Sequence, residues 1–162
     1  SYQDSKVDVG IKSAIAGINS EQAIYSYDSN ELSEWKNDGK LSTAWITYHL
    51  ERKAEIDDIC IKLTGWRKRS YPLEIFADDK LVWSGNTEKS LGYIHLSVKP
   101  VRTDKITIKL KGEAKESDAF GQIVEVVEPN AGDLDLLRVK GGEKTNNELR
   151  IVEVEFLETL KK

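Results

Sequence analysis

The sequence contains a single cysteine, Cys60, so no disulfide can form within the chain. Cys60 lies in an apolar run, and we therefore expect a buried, unreactive thiol. No stretch approaches the roughly 20 apolar residues that a membrane-spanning helix requires, so we expect no membrane span. The formal net charge is −4 and residues of both signs are interspersed, without the basic stripe typical of nucleic-acid-binding proteins. We therefore expect no nucleic-acid partner.

The motifs of several enzyme classes are also missing. The sequence has no Gly-x-Ser-x-Gly elbow, no phosphate-binding loop and no His-Glu-x-x-His motif. Carboxylate pairs such as Asp57-Asp58 occur, but a glycosidase needs an enclosed pocket that shifts their pKa values. A small domain with short polar loops rarely forms such a pocket. His49 and His95 lie within β-rich runs, where surface or cross-strand roles are expected. The sequence therefore predicts a domain that is not an enzyme.

Alternating apolar and polar residues run through most of the chain. Ile106, Ile108 and Leu110 share one face of a predicted strand, and residues 59–63 and 152–156 alternate in the same way. Further predicted strands are residues 23–27, 45–50, 73–77, 81–83, 93–98 and 122–127, separated by turn-forming residues. About eight short antiparallel strands at this spacing predict an all-β, single-domain β-sandwich or jelly roll.

The length of 162 residues fits one domain. We assign residues 1–20 to an N-terminal extension or linker and residues 21–159 to the sandwich. The polar segment 113–147 forms a long excursion between two strands, which is typical of a functional or a mobile loop.

One short segment has the chemistry of a cation site. Asp38-Gly39 is followed by Thr43 and then Trp45. A tight turn that glycine permits can gather the Asp38 carboxylate, the Thr43 hydroxyl and backbone carbonyls around calcium, which takes roughly 6–8 oxygen ligands. The alternative is that Asp38-Gly39 is a hairpin turn and Thr43 an ordinary strand-edge residue.

These features together resemble the discoidin, or coagulation factor 5/8 type C, superfamily of galactose-binding-like domains. The matching pieces are residues 23–26, Asp38-Gly39 with Thr43-Ala44-Trp45, residues 59–63, the basic loop 66–69 leading to 71–75, residues 81–85 and residues 152–156. The order is most similar to carbohydrate-binding modules appended to bacterial glycoside hydrolases, β-galactosidase-like enzymes among them. The resemblance implies a monomeric module of a secreted, periplasmic or cell-surface protein that binds a polysaccharide or oligosaccharide beside the parent enzyme's catalytic domain.

The resemblance also implies a structural calcium ion. The ligands carried over by position are the Asp38 carboxylate, the carbonyl and hydroxyl of Thr43, the Glu153 carboxylate and the carbonyls of Trp35, Lys40 and Val152. Members of the superfamily often have Asp or Asn where Lys40 stands, so Lys40 would offer only its carbonyl. Glu155 lies on the same strand face as Glu153, and the choice between them rests on register.

A sugar site needs an aromatic surface and a few fixed polar groups. The loop from Trp66 to Tyr71 has both, with Arg67 or Arg69 as the donor of paired N–H groups and Trp66 or Trp35 as the platform. Asp118 and Phe120 in the long excursion are further candidates. The alternative for this loop is a solvated basic turn with Trp66 in the core.

Three functions remain open from the sequence. The first is a carbohydrate-binding module for galactose-type or related polysaccharide, and the second is a structural accessory domain that packs on the parent enzyme without binding sugar. The third is adhesion to a protein or lipid surface, as some discoidin-type domains perform.

Overall fold

A computed structural model describes residues 5–65, 69–90, 92–113, 115–116 and 147–160. Ten β-strands account for most of these residues: β1 Ser5–Val9, β2 Ile11–Ala16, β3 Trp35–Lys36, β4 Trp45–Leu63, β5 Arg69–Ser70, β6 Pro72–Ala77, β7 Lys80–Asn86, β8 Ile94–Leu110, β9 Lys115–Glu116 and β10 Arg150–Leu160. Two 3₁₀ helices, Ser20–Ser26 and Leu41–Thr43, lie between strands. Within the described ranges no helix is long and apolar enough to cross a membrane.

Eight of the strands form one antiparallel sheet. Its strand order is β1-β10-β4-β8-β6-β7, while β2 joins the first half of β4 and β3 joins the start of β10. Strands β5 and β9 form a separate two-stranded pair. The predicted all-β antiparallel class is therefore confirmed.

The two long strands, β4 and β8, connect the two layers of the sandwich. The first half of β4 pairs with β2 and the second half with β10, and the β4–β8 register shifts between His49 and Ala54. The layers meet in the core, where the rings of Tyr48 on β4 and Phe156 on β10 lie 5.3 Å apart between centroids. One continuous sheet thus folds over on itself around a single apolar core.

The predicted alternation places the core residues correctly. Ile59, Ile61 and Leu63 are buried in the core, as are Ile106, Ile108 and Leu110 of the neighbouring strand β8. The intervening residues of β4, Asp58, Cys60 and Lys62, face away from this core because successive side chains of a strand point to opposite faces.

The assignment of residues 1–20 to an extension or linker is wrong for the part that the structure describes. Strand β1 pairs with β10 from Ser5 opposite Leu160, and β2 pairs with β4. Val9 is buried in the core, and its burial anchors the N-terminal segment to the sheet. The sandwich therefore includes the chain from Ser5 onward.

The predicted strand at residues 23–27 is also wrong, because residues 20–26 form a 3₁₀ helix. The Ser26 hydroxyl donates to the Ala23 carbonyl at 2.7 Å, a local hydrogen bond that competes with strand pairing. The predicted strand at 122–127 lies outside the described residues, as does nearly all of the excursion 113–147.

Candidate functional site

Several connections meet at one end of the sandwich, which we call the loop end: residues 31–34, 64–65, 69–71, 87–90 and 147–150. The backbone N–H of Thr64 donates to the Arg150 carbonyl at 3.1 Å, and that of Thr87 donates to the Tyr71 carbonyl at 2.9 Å. The Ser70 hydroxyl donates to the Thr87 carbonyl at 2.8 Å. These bonds hold segments that are distant in sequence against one another, which is the usual setting of a binding site on a β-sandwich.

An ion pair organises the centre of the loop end. The guanidinium of Arg150 donates to both carboxylate oxygens of Glu34, with Nη2 2.6 Å from Oε2 and Nε 3.2 Å from each oxygen. The Thr64 hydroxyl donates to the same carboxylate. Burial tends to raise the pKa of Glu34, but these hydrogen bonds outweigh it and hold the pKa below its usual value. Glu34 is therefore a fixed anion that keeps Arg150 in place.

Arg69 is positioned against an aromatic support. Its guanidinium lies 5.8 Å from the centroid of the Tyr71 ring, and Nη1 donates to the Tyr71 hydroxyl oxygen at 3.4 Å. The Tyr71 hydroxyl in turn donates to the Thr64 carbonyl at 2.8 Å. The backbone N–H of Arg69 donates to the Gly65 carbonyl at 2.8 Å, and Gly65 has φ +76°, a conformation that glycine adopts without strain. The Gly65 turn and the Tyr71 ring thus fix the position of Arg69, which is half-buried at the loop end.

The structure places the predicted sugar-contact residues in different environments. Arg69 is half-buried over the Tyr71 ring, and its role as a sugar contact stays a prediction, whereas Tyr71 is fully buried and supports Arg69 from below. Trp35 is also fully buried, and its indole Nε1 donates to the Ile18 carbonyl at 3.1 Å. The predictions of Trp35 as a sugar platform and of Tyr71 as a sugar contact are therefore wrong, because neither ring reaches the surface. Trp66, Arg67, Asp118 and Phe120 lie outside the described residues.

A groove that the sequence analysis missed lies beside the loop end. It is an open groove of about 560 Å³ that combines two partly exposed rings with polar side chains. The lining residues are Trp83, Asn86, Glu88, Lys89, Ser90, Tyr93, Ile94, His95, Leu96 and Ser97. Tyr93 is fixed by its hydroxyl, which donates to Glu31 at 3.2 Å. The alternation of β8 was the available signal, because His95 and Ser97 are exposed on the outward face of that strand and Tyr93 directly precedes it.

His95 stands between an acid and a thiol on this face. Its Nδ1 lies 3.0 Å from Oδ2 of Asp58, and its Nε2 lies 3.8 Å from Sγ of Cys60. This order is that of an acid–imidazole–nucleophile series. However, burial raises the pKa of the Cys60 thiol to about 11, and the charges of Glu155 and Asp58 add to the effect. Because the thiol stays protonated at neutral pH, the arrangement does not supply an activated nucleophile.

We expect Cys60 to be nearly inert toward thiol reagents in the folded protein. Since an ordinary thiol has a pKa of about 8.5, a pKa of about 11 reduces the thiolate fraction at pH 8 roughly 100-fold or more. The rate of labelling by a disulfide reagent, followed spectrophotometrically, should therefore be at least about 100-fold lower than in protein unfolded in urea. Similar rates in the folded and unfolded protein would show that the thiol is accessible and ionised.

The predicted cation loop brings together three of its predicted residues. The Asp38 carboxylate accepts hydrogen bonds from the Thr43 hydroxyl and, at 3.1 Å, from the backbone N–H of Lys40. The Thr43 oxygen also lies 3.0 Å from the Lys40 carbonyl. The 3₁₀ helix Leu41–Thr43 returns the chain so that these oxygens meet.

The other half of the predicted ligand set does not join them. Arg150 pairs with Lys36 and Ile151 with Trp35, so Asp38 lies near the start of β10. The backbone N–H of Asn37 donates to the Leu149 carbonyl, so Asp38 lies opposite the residue before Leu149. Val152 and Glu153 are four and five residues beyond that position, which at about 3.3 Å per residue is roughly 13 and 16 Å along the strand. The assignments of Glu153 and Val152 as ligands are therefore wrong, and Trp35 is engaged in the ladder instead.

Glu153 occupies a different environment. It is only 6% exposed, and its Oε2 accepts a hydrogen bond from the backbone N–H of Ser29 at 3.2 Å. Its Oε1 is buried with no hydrogen-bond partner among the described residues. Burial raises the pKa of Glu153 to about 7, and the negative charges of Asp28, Glu155 and Glu31 raise it further against the opposing bond from Ser29.

A nitrogen atom lies among the oxygens of the loop. The side-chain Nδ2 of Asn37 is 2.9 Å from the Lys40 carbonyl, 3.0 Å from the Asn147 carbonyl and 3.3 Å from the Thr43 hydroxyl oxygen. Calcium requires oxygens at about 2.3–2.6 Å from a shared centre, and an N–H donor has no place in that shell. No group of three His, Cys, Asp or Glu side chains gathers within the described ranges. The residues of this loop therefore do not fit the predicted calcium set.

The fold was compared with known proteins. No protein-family model and no curated protein sequence matches the chain. Among solved structures, the module of AlyQ bound to 4,5-unsaturated mannuronic acid has a TM-score of 0.65 at 14% identity, with 93% of this chain and 97% of the module covered. The fold is that of the family 32 carbohydrate-binding modules. The identity is too low to transfer residues from one protein to the other.

Further structures have the same fold. A pectin-binding carbohydrate-binding module has a TM-score of 0.60 at 17% identity, with 91% of each chain covered. The family 32 module of NanJ from C. perfringens, in complex with galactose, has a TM-score of 0.51 at 14% identity, with 96% of this chain and 93% of the module covered. A truncated AlyQ that also contains an alginate lyase domain has a TM-score of 0.69 at 14% identity. This chain covers 35% of that longer protein, and 99% of this chain is covered.

Proposed function

We propose that this chain is a non-catalytic carbohydrate-binding module that attaches a secreted bacterial polysaccharide-degrading enzyme to its substrate. The main support is the fold, which is shared over nearly the full length of this chain and of isolated carbohydrate-binding modules. The second support is the loop end, where the half-buried Arg69 is held in a fixed position by Tyr71.

Arg69 is the group from which we expect recognition to start. A guanidinium presents paired N–H donors that match a carboxylate or a pair of vicinal hydroxyls. The Tyr71 ring and the turn at Gly65 restrict Arg69 before any ligand arrives, which lowers the entropy lost on binding. In the sequence, Trp66 and Arg67 belong to the same loop, and we propose them as the platform and a second donor.

The positive charge of the loop 66–69 supports an acidic sugar as the ligand. The loop 66–69 carries three cationic residues in the sequence Trp-Arg-Lys-Arg. Of the structural neighbours described above, one is bound to a mannuronic acid derivative and one is a pectin-binding module, whereas a third is bound to galactose. We propose that acidic, uronate-containing polysaccharides bind more tightly than neutral galactose-containing ones.

Titration calorimetry against alginate, polygalacturonate and a neutral galactan tests this proposal. We expect dissociation constants in the micromolar to millimolar range for the uronate polymers, with binding weakened by added salt because the attraction is partly electrostatic. Arg69→Ala should weaken binding about 10-fold or more, since a charge-assisted donor is lost. The matched control is Arg102→Ala, an exposed arginine that pairs opposite Glu55 in β4, far along that strand from the loop end.

Equal losses in Arg69→Ala and Arg102→Ala would locate binding outside the loop end, and no heat with any polymer would contradict the sugar-binding function. Melting temperatures of both variants show whether a loss reflects unfolding.

An accessory domain without sugar binding is the second candidate. It is favoured by exposed apolar side chains in the N-terminal part of the chain, namely Ile15, Ile24, Tyr25, Leu32 and Leu41. That function predicts tight binding to the parent enzyme's catalytic domain in a pull-down.

A further inference from the structure

Asn37 lies at the centre of the turn that joins β3 to the 3₁₀ helix Leu41–Thr43. Its side chain is almost fully buried, with 3% of the residue exposed. Three oxygens from two separate parts of the chain face its Nδ2: the Lys40 carbonyl, the Thr43 hydroxyl and the Asn147 carbonyl. The side chain therefore joins the turn to the segment that leads into β10.

The orientation of the Asn37 amide is fixed by its other end. Its Oδ1 accepts a hydrogen bond from the backbone N–H of Leu149 at 2.8 Å, and its own backbone N–H donates to the Leu149 carbonyl at 3.3 Å. A flipped amide would place the NH₂ group against the N–H of Leu149 and Oδ1 against carbonyl oxygens. Both contacts would be repulsive, so the NH₂ group faces the oxygens.

Three oxygen atoms converge on Nδ2, and their partial negative charges require a cation or N–H donors between them. Converging carbonyl and hydroxyl oxygens repel one another unless a cation or a set of N–H donors lies between them. Here the two hydrogens of the Asn37 amide meet the two nearer acceptors at 2.9 and 3.0 Å, and the Thr43 oxygen is 3.3 Å away. The Asp38 carboxylate is satisfied separately by the Thr43 hydroxyl and the Lys40 backbone N–H.

We propose that the side-chain amide of Asn37 replaces a cation as the centre of this loop, so that the domain folds and remains stable without calcium. The carboxylate nearest to the loop by register is Glu148, between Asn147 and Leu149, and its Oε1 lies 3.7 Å from Nη1 of Arg150. Glu148 is thus engaged in an ion pair with Arg150. This inference concerns the loop alone and does not depend on which ligand the domain binds.

Thermal unfolding of the full chain in EDTA and in millimolar CaCl₂ tests the proposal directly. For the natural sequence we expect melting temperatures within about 1 °C of each other in the two conditions, because a ligand stabilises only a protein that binds it. A melting temperature that falls in EDTA and returns on addition of calcium would overturn the proposal.

Asn37→Asp gives a second, opposite expectation. The variant loses both amide donors and places a carboxylate beside Asp38, so the converging oxygens have no positive centre. Its melting temperature in EDTA should fall by about 5 °C or more, and calcium should restore at least half of the loss, since the altered loop then has the oxygen ligands that the ion prefers. The matched control is Asn30→Asp, at an exposed turn position, for which we expect no calcium response.

Asn37→Ala separates the role of the amide from the effect of the added charge. It leaves the Leu149 N–H and the loop oxygens without their partner, and its melting temperature in EDTA should also fall by about 5 °C or more. An unchanged melting temperature in this variant would show that the amide does not hold the loop and would contradict the proposal.

Discussion

Replacing Trp35 with alanine should lower the free energy of unfolding by about 3–5 kcal/mol, the typical loss when a large buried aromatic side chain is removed. The side chain is fully buried in the core, and its Nε1 donates to the Ile18 carbonyl at 3.1 Å. The substitution therefore creates a cavity and leaves the partly buried Ile18 carbonyl without this donor. Urea unfolding followed by circular dichroism gives the free energy, with equal m-values indicating a comparable transition.

Two further substitutions make this prediction specific. Trp35→Phe keeps most of the ring volume and loses the N–H donor, so it should be destabilising by roughly 1–3 kcal/mol and should still bind polysaccharide. Trp83→Ala is the control for removing a tryptophan, and because Trp83 is only partly buried its loss should be smaller than that of Trp35→Ala. A stable Trp35→Ala protein that has lost only its sugar affinity would show instead that Trp35 is a binding surface.

The strands of the fold were predictable because burial follows a local pattern. In β4 and β8 the period of two identifies the core face from neighbouring residues alone, as at Ile59, Ile61 and Ile108. Strand β1 has the same alternation in weaker form, with polar residues at Ser5, Lys6 and Asp8, and only its pairing with β10 shows that it belongs to the sheet. Local sequence contains little information on such long-range pairing.

The candidate site was predictable only in part, because the positions of its residues depend on contacts between segments that are distant in the sequence. Arg69 could be expected near the surface because a guanidinium is rarely fully buried on any fold, whereas Trp35 and Tyr71 have aromatic rings whose burial depends on the packing of distant segments. The assignment of Glu153 failed on register. The turn that carries Asp38 meets β10 near Leu149, several residues before Glu153, and this alignment of β3 with β10 is a long-range pairing that local sequence does not specify. Asn37 was missed because an asparagine before Asp-Gly is typical of an ordinary turn.

The pH dependence of stability should reveal Glu153, the second large effect that we predict. The pKa of this carboxyl rises from 4.5 to about 7 on folding, so the folded state binds a proton more tightly than the unfolded state does. Its protonation therefore stabilises the fold fully below about pH 4.5, and this contribution is lost as the pH rises through 7. With one pKa unit equal to about 1.4 kcal/mol and a rise of roughly two and a half units, Glu153 should destabilise the protein at pH 8 by about 3 kcal/mol.

Glu153→Gln removes the buried charge and keeps an oxygen that can accept the hydrogen bond from Ser29. We expect this variant to be more stable than the natural sequence by about 3 kcal/mol at pH 8, with the difference vanishing below about pH 4, where Glu153 is protonated in both the folded and the unfolded state. Urea unfolding at a series of pH values between these limits measures the difference. Glu55→Gln, an exposed substitution on β4, should leave the pH dependence unchanged. A Glu153→Gln protein that is less stable than the natural one at pH 8 would mean that the ionised carboxylate is stabilised in the fold by a favourable partner, such as Lys62, which pairs opposite Glu153 on the neighbouring strand.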